Sequence, residues 1–398
     1  MRLNCRTSLL VSGSLWSFTH LISYLSFDYF ALPLLKQLLV LLYLINLFYL
    51  NSQFRIASVF YSFLVGFYYF PETSNHSLLM MICDFYILLI YKFEKNDYSP
   101  FYRVLGLAYL FAGVSKINYD FFNPMYSCLS FVSINSISFS VQAYSVIGFE
   151  ILMGVMFILF QGQFLIWLSF LFHSLIAFYG FHDFFGVVIF ILFYSSYENK
   201  IQIKLKYFVP YIFFCVASSY FYKSHGLVFK IIHTLFLILP FAYLAYKTSL
   251  EKRLIFLNRQ FKAPEFLVLL LMLWQGLGPY LGLGQYPTFT MFSNLVIIKD
   301  YSNSLIVKKP LFSDENQWII IKKNELPVLQ KDWKLRRLLY SQSKTGADVL
   351  ISSENILTLG LDQEWINLKD KNIKISESNF LKKKFLPKNS YIKHYCQW

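Results

Sequence analysis

Ionisable side chains are scarce over most of this chain, and those inside long apolar runs are the candidates for chemistry, because a charged group in hydrocarbon costs about 3 kcal/mol or more. Lys116 stands in the run Ala112-Gly113-Val114-Ser115-Lys116-Ile117-Asn118-Tyr119-Asp120. Ala108, Ala112 and Lys116 recur at i, i+4 and i+8, so the lysine continues a helical stripe of small residues where a second helix can approach, and it should point into protein. Two roles fit that position. The side chain can snorkel to the nearby interface with Asp120 at i+4 as its ion partner. Alternatively, desolvation can leave a neutral amine that removes a proton from a bound substrate.

Three further polar sites interrupt apolar sequence. Thr73-Ser74-Asn75-His76-Ser77 follows Pro71 and opens an apolar run; Ser74 or Asn75 suits a helix cap and His76 a first turn, unless they share a site with Lys116. His173, and His182-Asp183 beyond it, match no metal spacing, and a lone helical histidine is read first as an interhelical hydrogen bond. Glu150 lies between Gly148 and Gly154 near the centre of another run, suited to a hydrogen bond in protonated form or to a proton path. The five cysteines, Cys5, Cys83, Cys128, Cys215 and Cys396, show no ligand spacing, so neither a metal site nor a disulfide framework is expected.

The elements that must position these residues follow from composition. Of 398 residues, 56% are hydrophobic and 15% charged, too few charges for a soluble globule. Apolar segments long enough to cross a bilayer, at about 20 helical residues each, recur through the first 285 positions or so. They are read at about 8–27, 31–50, 54–70, 77–92, 100–119, 137–160, 163–180, 182–198, 207–224, 226–247 and 266–284. The start, Met1 to Arg6 and then Leu9-Leu10-Val11, imitates a signal peptide, but polar Ser17 and His20 follow without a small-residue cleavage site, so a first membrane helix is expected. The fold class is therefore an all-α polytopic membrane helix bundle of about nine to eleven helices. From Val296 onward charges become frequent, and Ser304-Leu305-Ile306-Val307 and Trp318-Ile319-Ile320-Ile321 read as strands. This divides the chain into a membrane domain, 1–284, and an interfacial segment with a small soluble tail domain, α+β or β-rich, 285–398.

Net charge is +14, which in a soluble protein would suggest nucleic acid; here the cations sit in loops and tail, where they set topology and meet anionic lipid. Lys200, Lys204 and Lys206 mark one cytoplasmic loop and Lys247, Lys252, Arg253, Arg259 and Lys262 another. Counting outward puts the N-terminus inside, the tail domain outside, and Lys116 and the Asn75-His76 turn on the same outer face. The expected location is a bacterial inner membrane, crossed many times, with lipid and no nucleic acid as partner.

The run Tyr286-Pro287-Thr288-Phe289-Thr290-Met291-Phe292-Ser293-Asn294-Leu295, after Tyr280-Leu281-Gly282-Leu283, resembles a segment of the horizontally transferred transmembrane (HTTM) family, the bacterial relatives of vitamin K-dependent gamma-carboxylase. Phe111-Ala112-Gly113-Val114-Ser115-Lys116-Ile117 is similar to that family's aromatic-Ala-Gly-x-x-Lys-Leu motif, Asn75-His76-Ser77 to its Asn-His-Ser, and Leu326-Pro327 through Leu335-Arg336-Arg337-Leu338 to a tail segment. The resemblance implies a quinol, menaquinol or vitamin K-like, as cofactor, with Lys116 as base and Asn75 and His76 beside the reactive oxygen. His173 and Glu150 are the other candidate cofactor-binding residues. If the chain is an enzyme, its reaction is that of a carboxylase or quinol-epoxidase-like lyase or oxidoreductase. The long additional luminal region of the animal carboxylase has no counterpart, nor has its propeptide-binding site, so carrying over the lysine does not carry over the reaction. The alternative is a non-enzymatic membrane factor that matures or exports a secreted peptide.

Overall fold

The computed structural model describes residues 33–49, 51–70, 75–92, 99–124, 137–162 and 263–281, positions within 16–21, 127–129, 164–173 and 295–311, and strands at 255–256, 318–322, 358–361, 364–367 and 389–392. This part of the chain is mostly helical. Helix α1, Leu34–Phe48, follows Pro33 and ends where Tyr49 turns extended (ψ 111°). Asn51 opens α2, Ser52–Tyr69: its Oδ1 accepts from the amides of Gln53 (2.9 Å) and Phe54 (3.1 Å), satisfying first-turn donors that have no partner inside the helix. α2 stops just before Pro71. Then follow α3, Asn75–Lys92, and α4, Ser99–Ser115, with Pro100 near its start, where a missing N–H costs nothing. The single turn α5, Tyr119–Phe122, is capped by Asn118. α6 spans Phe139–Leu159 and α7 spans Ala263–Leu281. The segments read at 31–50, 54–70, 77–92, 100–119, 137–160 and 266–284 thus each contain a helix, whereas those at 182–198, 207–224 and 226–247 lie outside the described residues.

Among the described residues, α6 and α7 are long and apolar enough to cross a membrane. Several helices carry an exposed apolar face. On α1 it is Leu34, Leu38, Leu41 and Ile45; on α6 it is Val141, Tyr144, Leu152, Val155 and Leu159; on α7 it is Phe266, Leu270, Leu273 and Leu277. Spacings of three and four residues, with exposed Gly148 bridging Tyr144 and Leu152 on α6, draw one stripe along each helix. Buried side chains include many that water-soluble proteins keep outside, among them Arg55, Asp84, Arg103, Lys116, Glu150 and Glu265.

The chain forms two compact units. The first comprises 1–69, 76–110 and 152–273. Its buried side chains include Trp16, Tyr43, Leu79, Ile87, Phe101, Leu105 and Phe157. α4 and α6 run antiparallel here and almost touch: a Cβ on Gly154 would lie 2.7 Å from the Leu110 amide nitrogen and 2.9 Å from the Gly106 carbonyl, so only glycine permits this crossing. β1, Phe160–Gln161, pairs antiparallel with β2, Ile255–Phe256.

The second unit comprises 70–75, 111–151 and 274–398. Phe121, Leu129, Ala143 and Ile147 form its apolar cluster. β3, Ile297–Ile298, pairs with β4, Tyr301–Ser302. A four-stranded sheet of order β7-β6-β5-β8 holds β5, Trp318–Lys322, antiparallel to β6, Thr358–Leu361, and parallel to β8, Asn389–Ile392, while β7, Glu364–Asn367, pairs with β6. The run 304–307, expected as a strand, is a tight turn instead. Ser304 Oγ accepts from the amides of Ile306 (3.2 Å) and Val307 (3.1 Å), and Ser302 Oγ donates to the Val307 carbonyl (2.7 Å). Serine side chains compete here with ladder formation, and win.

Candidate functional site

In the second unit, α4 ends at Ser115 and Lys116 closes its last turn, with the Lys116 amide donating to the Gly113 carbonyl at 3.2 Å. The side chain does not continue toward the helix end. It folds back so that Nζ donates to the Ala112 carbonyl (3.2 Å), one turn earlier, and to Glu150 Oε2 (2.7 Å) and Oε1 (3.0 Å) on α6. Lys116 is 3% exposed and Glu150 7%. A snorkelling lysine would extend in the opposite direction, and its carboxylate partner is not Asp120 on the next turn but a residue on another helix.

Close approach makes the pair. A Cβ on Gly113 would lie 2.8 Å from Ile151 Cγ1 and 3.2 Å from Glu150 Cβ, so the bare glycine lets α6 bring its carboxylate to the lysine. The expected stripe of small residues does face protein, since Ala108 and Ala112 are buried, but the contact with Glu150 is made one residue round the helix, at Gly113.

Beyond the lysine the chain is pinned from both sides. Asn118 Nδ2 donates to the Ser115 carbonyl (2.8 Å), and its Oδ1 accepts from the Phe121 amide (2.9 Å). These bonds fix the turn and set the Phe121 ring 6.0 Å from Lys116 Nζ. The tail contributes as well: Asn118 forms a β-bridge with Ser304, the Leu305 amide donates to the Ile117 carbonyl (3.1 Å), and Lys308 Nζ lies 5.1 Å from the Tyr119 ring centroid. The turn at 301–308 is therefore docked on the end of the helix that carries Lys116.

An ammonium has three N–H donors and no acceptor. Lys116 meets three acceptor atoms, so the pair is satisfied as an ion pair, and it keeps the same zero net charge if one proton moves along the 2.7 Å contact from Nζ to Oε2. Such a pair can lend a neutral amine without placing net charge in the interior.

Asn75 opens α3, and His76 occupies its first turn, but the side chains of both lie outside the described residues, as do His182, Asp183 and the runs 286–294 and 326–338. His173 belongs to the first unit, where its Nε2 meets the Tyr109 hydroxyl (2.5 Å), which also bonds Ser169 (2.8 Å). It thus makes an interhelical hydrogen bond, the first of the readings its lone position allowed.

Two ionic sites in the first unit had not been singled out from sequence. Asp84 lies buried in the middle of α3 and receives Trp16 Nε1 (2.7 Å) and Ser62 Oγ (2.6 Å), with His20 Nε2 at 3.2 Å. Arg103 pairs with Glu265, both buried, near the starts of α4 and α7. The signal was present in Leu78-Leu79-Met80-Met81-Ile82-Cys83-Asp84, an acid in an apolar run, the same pattern that marks Glu150. Among the described residues no three His, Cys, Asp or Glu side chains gather as a metal site would require. Neither a family model, a curated protein nor a solved structure matches this chain.

Proposed function

We propose that the chain is a multi-pass membrane protein, a relative of the HTTM family, in which the Lys116–Glu150 pair serves as a proton-exchanging base toward a quinol bound at the outer leaflet. The observation that carries this reading is the inward fold of Lys116 onto Glu150 within the protein. The membrane part is supported by apolar stripes left outward on α1, α6 and α7 while charged side chains turn inward, the reverse of a soluble core. That α4 and α7 start on the same face is supported by the Arg103–Glu265 pair. That contact joins the N-terminal ends of α4 and α7, and the basic loops assign those ends to one face, the cytoplasmic one. The C-terminal domain is then extracytoplasmic.

In this reading Glu150 takes the Lys116 proton along their shared contact, and the neutral amine accepts a hydroxyl proton from the substrate. Asn75 and His76 orient the reacting oxygen, as the family resemblance implies. A bound quinol would supply that proton, and the transfer itself changes no oxidation state. A quinol hydroxyl has a phenol-like pKa of roughly 10, so transfer to an amine must be coupled to a later step.

Lys116→Arg tests this. Guanidinium preserves charge and length but cannot lose its proton near neutrality. Quinol oxidation, and quinone protection of an amine-reactive probe, should both vanish in the Arg protein while insertion persists. Equal activity and protection in the two proteins would remove Lys116 from catalysis. Absence of any quinone effect in wild type would leave the second reading, a non-enzymatic factor for a secreted peptide.

A further inference from the structure

In the second unit one short segment closes two helix ends. The last carbonyls of a helix have no partner within it. At the end of α7 the Leu311 amide donates to the Tyr280 carbonyl (3.3 Å). Just past the end of α4 the Leu305 amide does the same for the Ile117 carbonyl (3.1 Å). Between these two bonds runs Leu305-Ile306-Val307-Lys308-Lys309-Pro310-Leu311, tightened at its start by the Ser302 and Ser304 hydroxyls. Its backbone is thus fixed to both helices.

Its side chains, by contrast, are left outward. Leu305 is 39% exposed, Ile306 53% and Leu311 70%. Three large apolar side chains presented by one pinned segment are more than the scattered apolar residues of an ordinary surface. Lys308 and Lys309 stand exposed among them, and the run 301–311 contains no acidic residue. Lys308 Nζ gives one of its three donors to the Ser304 carbonyl (3.2 Å) and lies 5.1 Å from the ring centroid of Tyr119, itself exposed. Leucine and isoleucine beside lysine and tyrosine suit the bilayer–water interface, where apolar chains and rings enter the headgroup region and ammonium groups meet phosphate.

Depth decides what covers this surface. α7 has 19 residues and is therefore about 28 Å long, close to the hydrocarbon thickness of a bilayer. With α7 crossing the membrane, the Tyr280 carbonyl lies at the edge of the hydrocarbon, and the segment bonded to it lies among the headgroups. We propose that 305–311 is a membrane anchor of the C-terminal domain, its Leu305, Ile306 and Leu311 entering the outer leaflet and its Lys308 and Lys309 binding the phosphates of anionic phospholipid. The anchor rests on the membrane-spanning reading above. Because Ser304 also bridges to Asn118, the anchor holds the helix end that carries Lys116 at the same depth.

The test places an environment-sensitive NBD fluorophore on Ile306→Cys in the full-length protein, in lipid nanodiscs, with the signal of equally labelled wild type subtracted. Traces of phosphatidylglycerol or phosphatidylcholine carry a nitroxide near the headgroup end of the acyl chain. Both lipids should quench the probe, and aqueous iodide should not. Phosphatidylglycerol should be the better quencher by about fivefold, since a surface cation contributes about 1 kcal/mol toward an anionic lipid. Changing Lys308→Gln and Lys309→Gln together should bring that ratio to about one while the protein still assembles, both side chains being exposed. The same probe on Leu273→Cys, in the outward stripe of α7, reports spanning separately, through a nitroxide deep in the acyl chain. Quenching at 273 with a probe at 306 that answers only to iodide would overturn the anchor and leave the segment facing water. An equal response to the two lipids in the protein with both lysines would overturn the binding of anionic headgroups. No quenching at 273 would overturn the spanning reading, and the anchor with it.

Discussion

Glu150→Gln and Lys116→Met should each be strongly destabilising alone and nearly harmless together. At 2.7 Å, and with an effective dielectric of about 20, the Lys116–Glu150 attraction is about 6 kcal/mol. Burial of the two charged groups costs several kcal/mol each, so the net worth of the intact pair is small. Removing one partner leaves the other charge in the interior, or requires it to be neutralised, and the expected cost is about 3–5 kcal/mol. Removing both discards attraction and penalty together, and the double variant should lie within about 2 kcal/mol of wild type. Unfolding of the reconstituted protein by detergent titration, followed by helical circular dichroism, supplies the double-mutant cycle, with an expected coupling of about 4 kcal/mol or more. Additive single effects, with coupling below about 0.5 kcal/mol, would refute the claim that the two groups form a buried pair.

The glycines of α6 should behave oppositely. Gly154→Val forces a side chain onto the backbone of α4, where a Cβ already meets Leu110 nitrogen at 2.7 Å, and should cost about 2 kcal/mol or more in the same assay. Gly148→Ala meets nothing within 4 Å and should stabilise by about 0.5–1 kcal/mol through helix propensity. A topology reporter fused after Asn294 should read extracytoplasmic and one near Arg253 cytoplasmic; the reverse pair would place the Lys116 end of α4 on the other face.

Helical character was legible from sequence because it is local: apolar runs report it directly, and the caps Asn51 and Asn118 and Pro100 at a helix start, which the structure adds, also act over one turn. Lys116 and Glu150 were each visible as polar residues in apolar runs, yet nothing in the sequence paired them. Periodicity tells which face of a helix a residue occupies; it does not tell which helix comes to meet that face. That choice rests on contacts distant in the chain, such as Gly113 admitting Glu150 and Gly106 admitting Gly154. His20, Ser62 and Asp84 show the same limit, since three separated segments supply one hydrogen-bonded group. Asp84 alone could have been singled out by its cost in an apolar run, but the partners that offset that cost exist only once the helices pack. The serine-closed turn at 302–307 marks the converse case, where β-branched and apolar residues suggested a strand and two hydroxyls bonding their own backbone decided otherwise. Composition therefore determined what must be hidden and what left outward, while tertiary packing decided which buried charges meet, because only short-range contact can offset the desolvation of each one.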